Sequence, residues 1–139
     1  MKVVIDTQIL LRSIPKLAPE KIIYHAFDKK EFTWVLSNEI LTEYAELVSK
    51  WYGVQTMSFV LSLLLESENH QLFEPSYKWQ LVEDDPDDNK FVDCAIGANA
   101  DYLVTDDKHI RKLLKREHPF PPIEIVSFAE FKQILERRK

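Results

Sequence analysis

Apolar positions along this chain follow two rhythms. Short β-branched or aromatic runs, Lys2-Val3-Val4-Ile5, Phe32-Thr33-Trp34-Val35-Leu36, Tyr102-Leu103-Val104-Thr105 and Ile123-Glu124-Ile125-Val126, have the length and composition of strands. The unbroken first run suits a strand buried on both faces of a parallel sheet. Between them the spacing is helical. Pro19-Glu20 opens a helix over 19–29 with Ile22, Ile23, Ala26 and Phe27 as its stripe, and Ser37-Asn38 caps a helix over 39–50 carrying Ile40, Leu41, Tyr44, Leu47 and Val48. A short strand is expected near Gln71-Leu72-Phe73, no rhythm marks 77–82, and the capping box Ser127-Phe128-Ala129-Glu130 starts a last helix. Alternating strands and helices predict an α/β fold, with a mostly parallel central sheet covered on both faces and right-handed crossovers.

One segment breaks the amphipathic pattern. Residues 54–66 are apolar nearly all round, with Val54, Met57, Phe59, Val60, Leu61, Leu63, Leu64 and Leu65, so a single packed face does not accommodate them. They predict either a doubly buried helix or a surface for self-association or a partner protein.

Composition narrows the class. At 139 residues, 45% hydrophobic and 29% charged, the chain reads as one globular domain over 1–139. No apolar run approaches the ~20 residues that span a bilayer, and the opening residues are too short for a signal-peptide core, so a cytoplasmic protein without a membrane partner is expected. A lone cysteine, Cys94, excludes an intrachain disulfide and a cysteine-based zinc site. Two glycines, Gly53 and Gly97, leave no glycine-rich phosphate loop. A net charge of −5 lacks the basic excess of many nucleic-acid binders, and the local exception is the basic segment 108–116, with Lys108, Arg111 and Lys112 as candidate substrate contacts.

Negative charge gathers in DDPDDNKFVDCAIGANADYLVTDD, residues 84–107, where acids flank a small-residue helix and a short strand. In an α/β unit strand carboxyl ends and neighbouring helix starts share one sheet edge, which brings Asp88 and Asp107 together there. Asp6, directly after the first strand, joins that edge, where ionisation is costly without cations, donors or water. Glu43 sits on the border of its helix stripe, roughly 100° from its centre. Each acid is equally suited to cap a helix. Together, four converging carboxylates require cations, and an all-oxygen set favours Mg²⁺ or Mn²⁺ over zinc and points to metal-assisted phosphoryl transfer. Helical phase separates two rivals: Asp88 shares a face with Phe91, Val92 and Ala95, whereas Asp93 points roughly 140° away and stays a second-tier ligand, silent on substitution if it faces solvent. The four histidines are scattered, which disfavours a metal-free nuclease built on paired histidines.

The stretches VVIDTQILL, VLSNEILTEYAELV, DPDDNKFVDCAIGANADYLVTDDKHI and IEIVSFAEF, in that order, resemble the PIN-domain ribonucleases, particularly the toxin components of bacterial and archaeal toxin–antitoxin pairs. The resemblance implies a Rossmann-like α/β/α sandwich, often a homodimer, that cleaves RNA with Mg²⁺ or Mn²⁺ and is held by a cognate antitoxin. It assigns Asp6, Glu43, Asp88 and Asp107 as the catalytic, metal-holding acids; Thr7, Ser37 and Thr105 are candidate supporting residues, equally suited to orient water or phosphate and to cap helices. Gln8 departs from the family's usual Asn and carries its amide one methylene further out. Two other classes compete. A haloacid-dehalogenase-like phosphatase would use Asp6 as nucleophile but opens D-x-D, and this chain reads Asp6-Thr7-Gln8. A non-catalytic RNA-binding or protein-interaction module could share the fold.

Overall fold

The computed structural model describes residues 1–115 and 123–138. Five parallel strands, β1 (Lys2–Ile5), β2 (Thr33–Leu36), β3 (His70–Leu72), β4 (Tyr102–Val104) and β5 (Glu124–Val126), form one sheet in the order β3-β2-β1-β4-β5. The helices are α1 (Thr7–Arg12), α2 (Ile22–Asp28), α3 (Asn38–Tyr52), α4 (Val54–Leu65), α5 (Asn89–Gly97), α6 (Lys108–Arg111) and α7 (Phe128–Arg137). They cover both faces of the sheet, giving a three-layer α/β/α sandwich. Among the described residues no helix is long and apolar enough to cross a membrane.

The chain winds outward from β1 to β3, then returns to lay β4 and β5 on the other side of β1. The order therefore reverses between β1 and β4, where the diverging connections open a crevice at the strands' carboxyl ends. Both central strands are fully buried at Val4, Ile5, Leu103 and Val104, as their β-branched and apolar sequences require. An aromatic cluster of Phe27, Phe32, Trp34 and Phe131 fills part of the core, with Phe27 and Phe131 edge-on to their neighbours. Each such ring contributes about 1.5–3 kcal/mol by leaving water.

Three expectations shift. The helix expected over 19–29 begins as a 3₁₀ turn at Pro19–Lys21 and becomes α-helical at α2. The helix expected over 108–116 ends at Arg111 and tightens into a 3₁₀ turn, Lys112–Lys115; Ile110 and Leu113, three apart, both point into the core, a spacing that three residues per turn satisfies. Arg116, His118 and Lys139 lie outside the described residues. Finally, α4 is not doubly buried: Val60 and Leu64 are buried, while Val54 and Phe59 are 63% and 68% exposed. Gly53, at φ 93°, breaks α3 from α4 in a conformation that disfavours any side chain.

Residues 73–85 form an irregular strap across the carboxyl edge beside α5. Three contacts fasten it. The Phe73 ring sits where a Cβ on Gly97 would stand, 2.4 Å from that position. Asn89 pairs with the Val82 backbone through its side-chain amide (2.8 and 3.3 Å), and Asp93 accepts the Trp79 backbone N–H at 3.0 Å.

Candidate active site

The crevice between β1 and β4 is lined by the residues that end those strands. Asp6 follows β1, and its backbone N–H donates to Val104 O, extending the ladder by one bond. Its carboxylate is almost fully buried, takes a long 3.5 Å bond from the Gln8 N–H as cap of α1, and accepts the Thr105 hydroxyl at 2.7 Å. Thr105 in turn accepts the Asp107 N–H at 2.9 Å. The buried threonine thus joins the two strand-end acids. Asp107 caps α6 by accepting the His109 N–H at 2.7 Å through Oδ1. For Asp6 and Asp107, capping and crevice placement coexist, because a carboxylate has more acceptor sites than a cap uses.

Glu43 reaches the crevice from α3. Its neighbour Tyr44 is wholly buried, donates to the Ile5 carbonyl and accepts Trp34 Nε1–H at 3.3 Å, which seats α3 on the end of β1. Burial, helped by the field of Asp6 and opposed by the Trp34 hydrogen bond, holds the Tyr44 phenol neutral, with its pKa well above the ordinary value. That placement turns Glu43 inward, where its Oε2 accepts the Thr7 hydroxyl and its Oε1 lies 3.0 Å from Lys90 Nζ. The Ser37 hydroxyl accepts the Ile40 N–H and caps α3. The Gln8 side chain is exposed, so its contribution to the crevice is its backbone N–H.

Asp88 ends the 3₁₀ turn Pro86–Asp88 and precedes α5, yet its side chain makes no cap bond. Its Oδ2 is buried and, among the described residues, has no hydrogen-bond partner. Burial, and then the fields of Asp107, Asp85, Asp6 and Glu43, push its pKa up to about 8. Burial also raises Asp6, to about 6, against its hydrogen bonds and with the help of Asp107 and Glu43. The four sequence-predicted acids therefore share one electrostatic neighbourhood.

Asp93 is elsewhere, and it does not face solvent. It is 6% exposed, anchors the strap through Trp79, and borders a cleft of about 490 Å³ lined also by Ser37, Glu74 and Lys78; burial raises its pKa. Helical phase sets Asp93 on a different side of α5 from Asp88 but takes no account of the strap, which covers what would otherwise be the wet side of that helix. Asp106, next to Asp107 in sequence, is turned away from the crevice, accepting from Arg12 Nη2 at 2.6 Å and from the Phe128 N–H at 3.0 Å.

The basic segment is largely committed to acids of this chain. Lys112 lies 2.9 Å from Asp84 and Arg111 3.3 Å from Glu130, while Lys108 is exposed. Lys90 is the functional candidate that sequence reading passed over. Its signal was a lone cation in α5, two residues after Asp88 in the most acidic stretch of the chain.

No three His, Cys, Asp or Glu side chains among the described residues stand close enough to form a closed metal cage. What fits a hard divalent cation is the donor chemistry: an all-oxygen set, one member of which, Asp88, has a buried oxygen with no partner among the described residues and a carboxyl whose ionisation is disfavoured by burial and by the facing acids.

Comparison with known proteins agrees with this layout. Residues 2–109 match the family described as PIN domain. The fold is similar to VapBC2 from Rickettsia felis, solved with a DNA fragment from its promoter, at TM-score 0.62 and 18% identity over 91% of this chain and 98% of that one. It is also similar to VapC20 of Mycobacterium tuberculosis, a toxin that cleaves the sarcin-ricin loop, at TM-score 0.60 and 12% identity over 79% and 94% of the two chains. Among curated proteins no match is found.

Proposed function

The chain belongs to the PIN-domain family, and from that premise we propose that it is a metal-dependent endoribonuclease, the toxin of a toxin–antitoxin pair. The observation that carries the reading is half-buried Asp88, set among three other acids, whose Oδ2 is buried with no hydrogen-bond partner among the described residues and whose pKa is raised to about 8. A structural carboxylate gains hydrogen bonds or cations on folding. Among the described residues the Asp88 Oδ2 has neither, an arrangement that is stabilised when a divalent cation arrives.

Asp6, Glu43, Asp88 and Asp107 would hold Mg²⁺ or Mn²⁺, which when bound neutralises phosphate charge and lowers the pKa of water. Thr105 fixes the strand-end acids relative to each other, since its hydroxyl donates to Asp6 and accepts from the Asp107 backbone. Thr7 does the same for Glu43. Lys108 is free to meet the RNA backbone, whereas Arg111 and Lys112 must exchange Glu130 and Asp84 for phosphate. Water attack leaves 5′-phosphate and 3′-hydroxyl ends.

RNA as substrate is supported by the activity of VapC20, and an antitoxin partner by the VapBC2 assembly. Homodimerisation or antitoxin binding would use the exposed apolar side of α4, including Val54 and Phe59. The test is incubation with a mixed RNA pool and Mg²⁺ or Mn²⁺, followed by sequencing of the ends. Cleavage that stops on chelation and yields 5′-phosphates is expected; activity that survives chelation, or 2′,3′-cyclic phosphate products, overturns the reading.

A further inference from the structure

Both oxygens of Glu43 are engaged, one by the Thr7 hydroxyl and the other by the Lys90 ammonium at 3.0 Å. That ammonium is itself fixed by Asp87, whose carbonyl accepts at 2.7 Å and whose Oδ1 lies 3.3 Å away. It lies 5.6 Å from the centre of the Phe91 ring, and 9% of the Lys90 side chain is exposed. A lysine on an ordinary helix face keeps its head in water. One that surrenders hydration to this extent does so for anions held in fixed positions. Lys90 stands two residues beyond Asp88, so its ion pair ties Glu43 on α3 to the turn that presents Asp88.

We propose that Lys90 is a positioning residue of the acidic site, holding the Glu43 carboxylate at a set distance from Asp88 so that the two are preorganised for one divalent cation. The inference rests on the metal-dependent reading above and concerns a residue that acts through Glu43. Partners that orient a metal's carboxylate ligands typically govern affinity by about 10–100-fold. A lysine serving only as counter-charge would act in the opposite direction, because removing a cation strengthens the binding of another.

The test is Mn²⁺ binding by calorimetry to the full chain as wild type, K90M, K90R, E43Q and the double variant E43Q/K90M, each checked for fold by circular dichroism. K90M should weaken Mn²⁺ binding by about 10-fold or more, K90R should recover most of the loss, and K90M should add nothing in the E43Q background. Should Met not be accommodated, Lys90→Gln keeps the stem and a polar head without the charge. Unchanged or tighter binding in K90M overturns the proposal, as does an equal loss with and without Glu43. RNA cleavage by the wild type is followed in parallel. Mn²⁺ binding without cleavage removes the ribonuclease reading and leaves the Lys90 test standing, whereas a wild type that binds no Mn²⁺ removes both.

Discussion

Asp88 and Asp6 both hold their protons more tightly in the folded protein than in the unfolded chain, chiefly because they are buried and secondarily because other acids face them. The sign of the consequence follows from proton linkage. Stability from a raised carboxyl is complete below the ordinary range near 3.8 and is lost as pH climbs, through about 6 for Asp6 and about 8 for Asp88. Metal-free protein should therefore melt at progressively lower temperature from pH 4 to pH 8 on account of these groups. Asp88→Asn should flatten the upper part of that decline, between about 6 and 8, and scanning calorimetry of both proteins in chelator reads the difference. The same substitution should cut cleavage by at least about 100-fold, beyond the usual cost of losing an outer-shell partner. A wild-type pH curve that stays parallel to that of Asp88→Asn would show that the carboxyl is already ionised at neutral pH.

Helix α3 shows how one element divides labour between adjacent residues. Tyr44 ties the helix to the end of β1, and Glu43, one position earlier on the border of the apolar stripe, is thereby aimed at the crevice. Tyr44→Phe strands the Ile5 carbonyl and Trp34 Nε1–H in the core, and should cost about 1–3 kcal/mol in a denaturant titration. The strap makes a parallel case at Asp93. Asp93→Asn retains an oxygen for the Trp79 N–H and should leave cleavage nearly unchanged, whereas Asp93→Ala removes that part-buried hydrogen bond and should cost about 0.5–1.5 kcal/mol. Faster hydrogen exchange at the Trp79 amide in the alanine variant checks the assignment.

At the scale of the whole molecule, the parallel order β3-β2-β1-β4-β5 places the reversal of direction beside the acids, while α4 leaves apolar surface uncovered. Binding of a divalent cation to the folded state alone should raise the melting temperature, by the equivalent of about 2.7 kcal/mol at a concentration 100-fold above Kd. Asp6→Asn should lose that increment. Exposed Phe59, together with Val54, predicts self-association, and Phe59→Glu should shift sedimentation velocity towards the monomer. A wild type that sediments as a monomer at every concentration would assign α4 to a different partner.

Periodicity and strand composition determined the layers and the parallel sheet, because burial on both faces selects continuous β-branched runs such as Val3-Val4-Ile5. Strand ends and helix starts were likewise legible, and they put Asp6, Asp88 and Asp107 on one edge without any knowledge of distances. Tertiary structure alone decided the environment of each acid. Asp93 looks solvent-facing on a helical wheel, and only the strap, whose sequence has no rhythm, buries it. Lys108, Arg111 and Lys112 form a basic patch in sequence, yet Asp84 and Glu130, distant along the chain, neutralise two of them. Lys90 gained its place beside Glu43 in the same way. Charge pairing acts through space between elements brought together by the core, so local pattern fixes where an ionisable group sits on its own element and leaves open which charge it will meet.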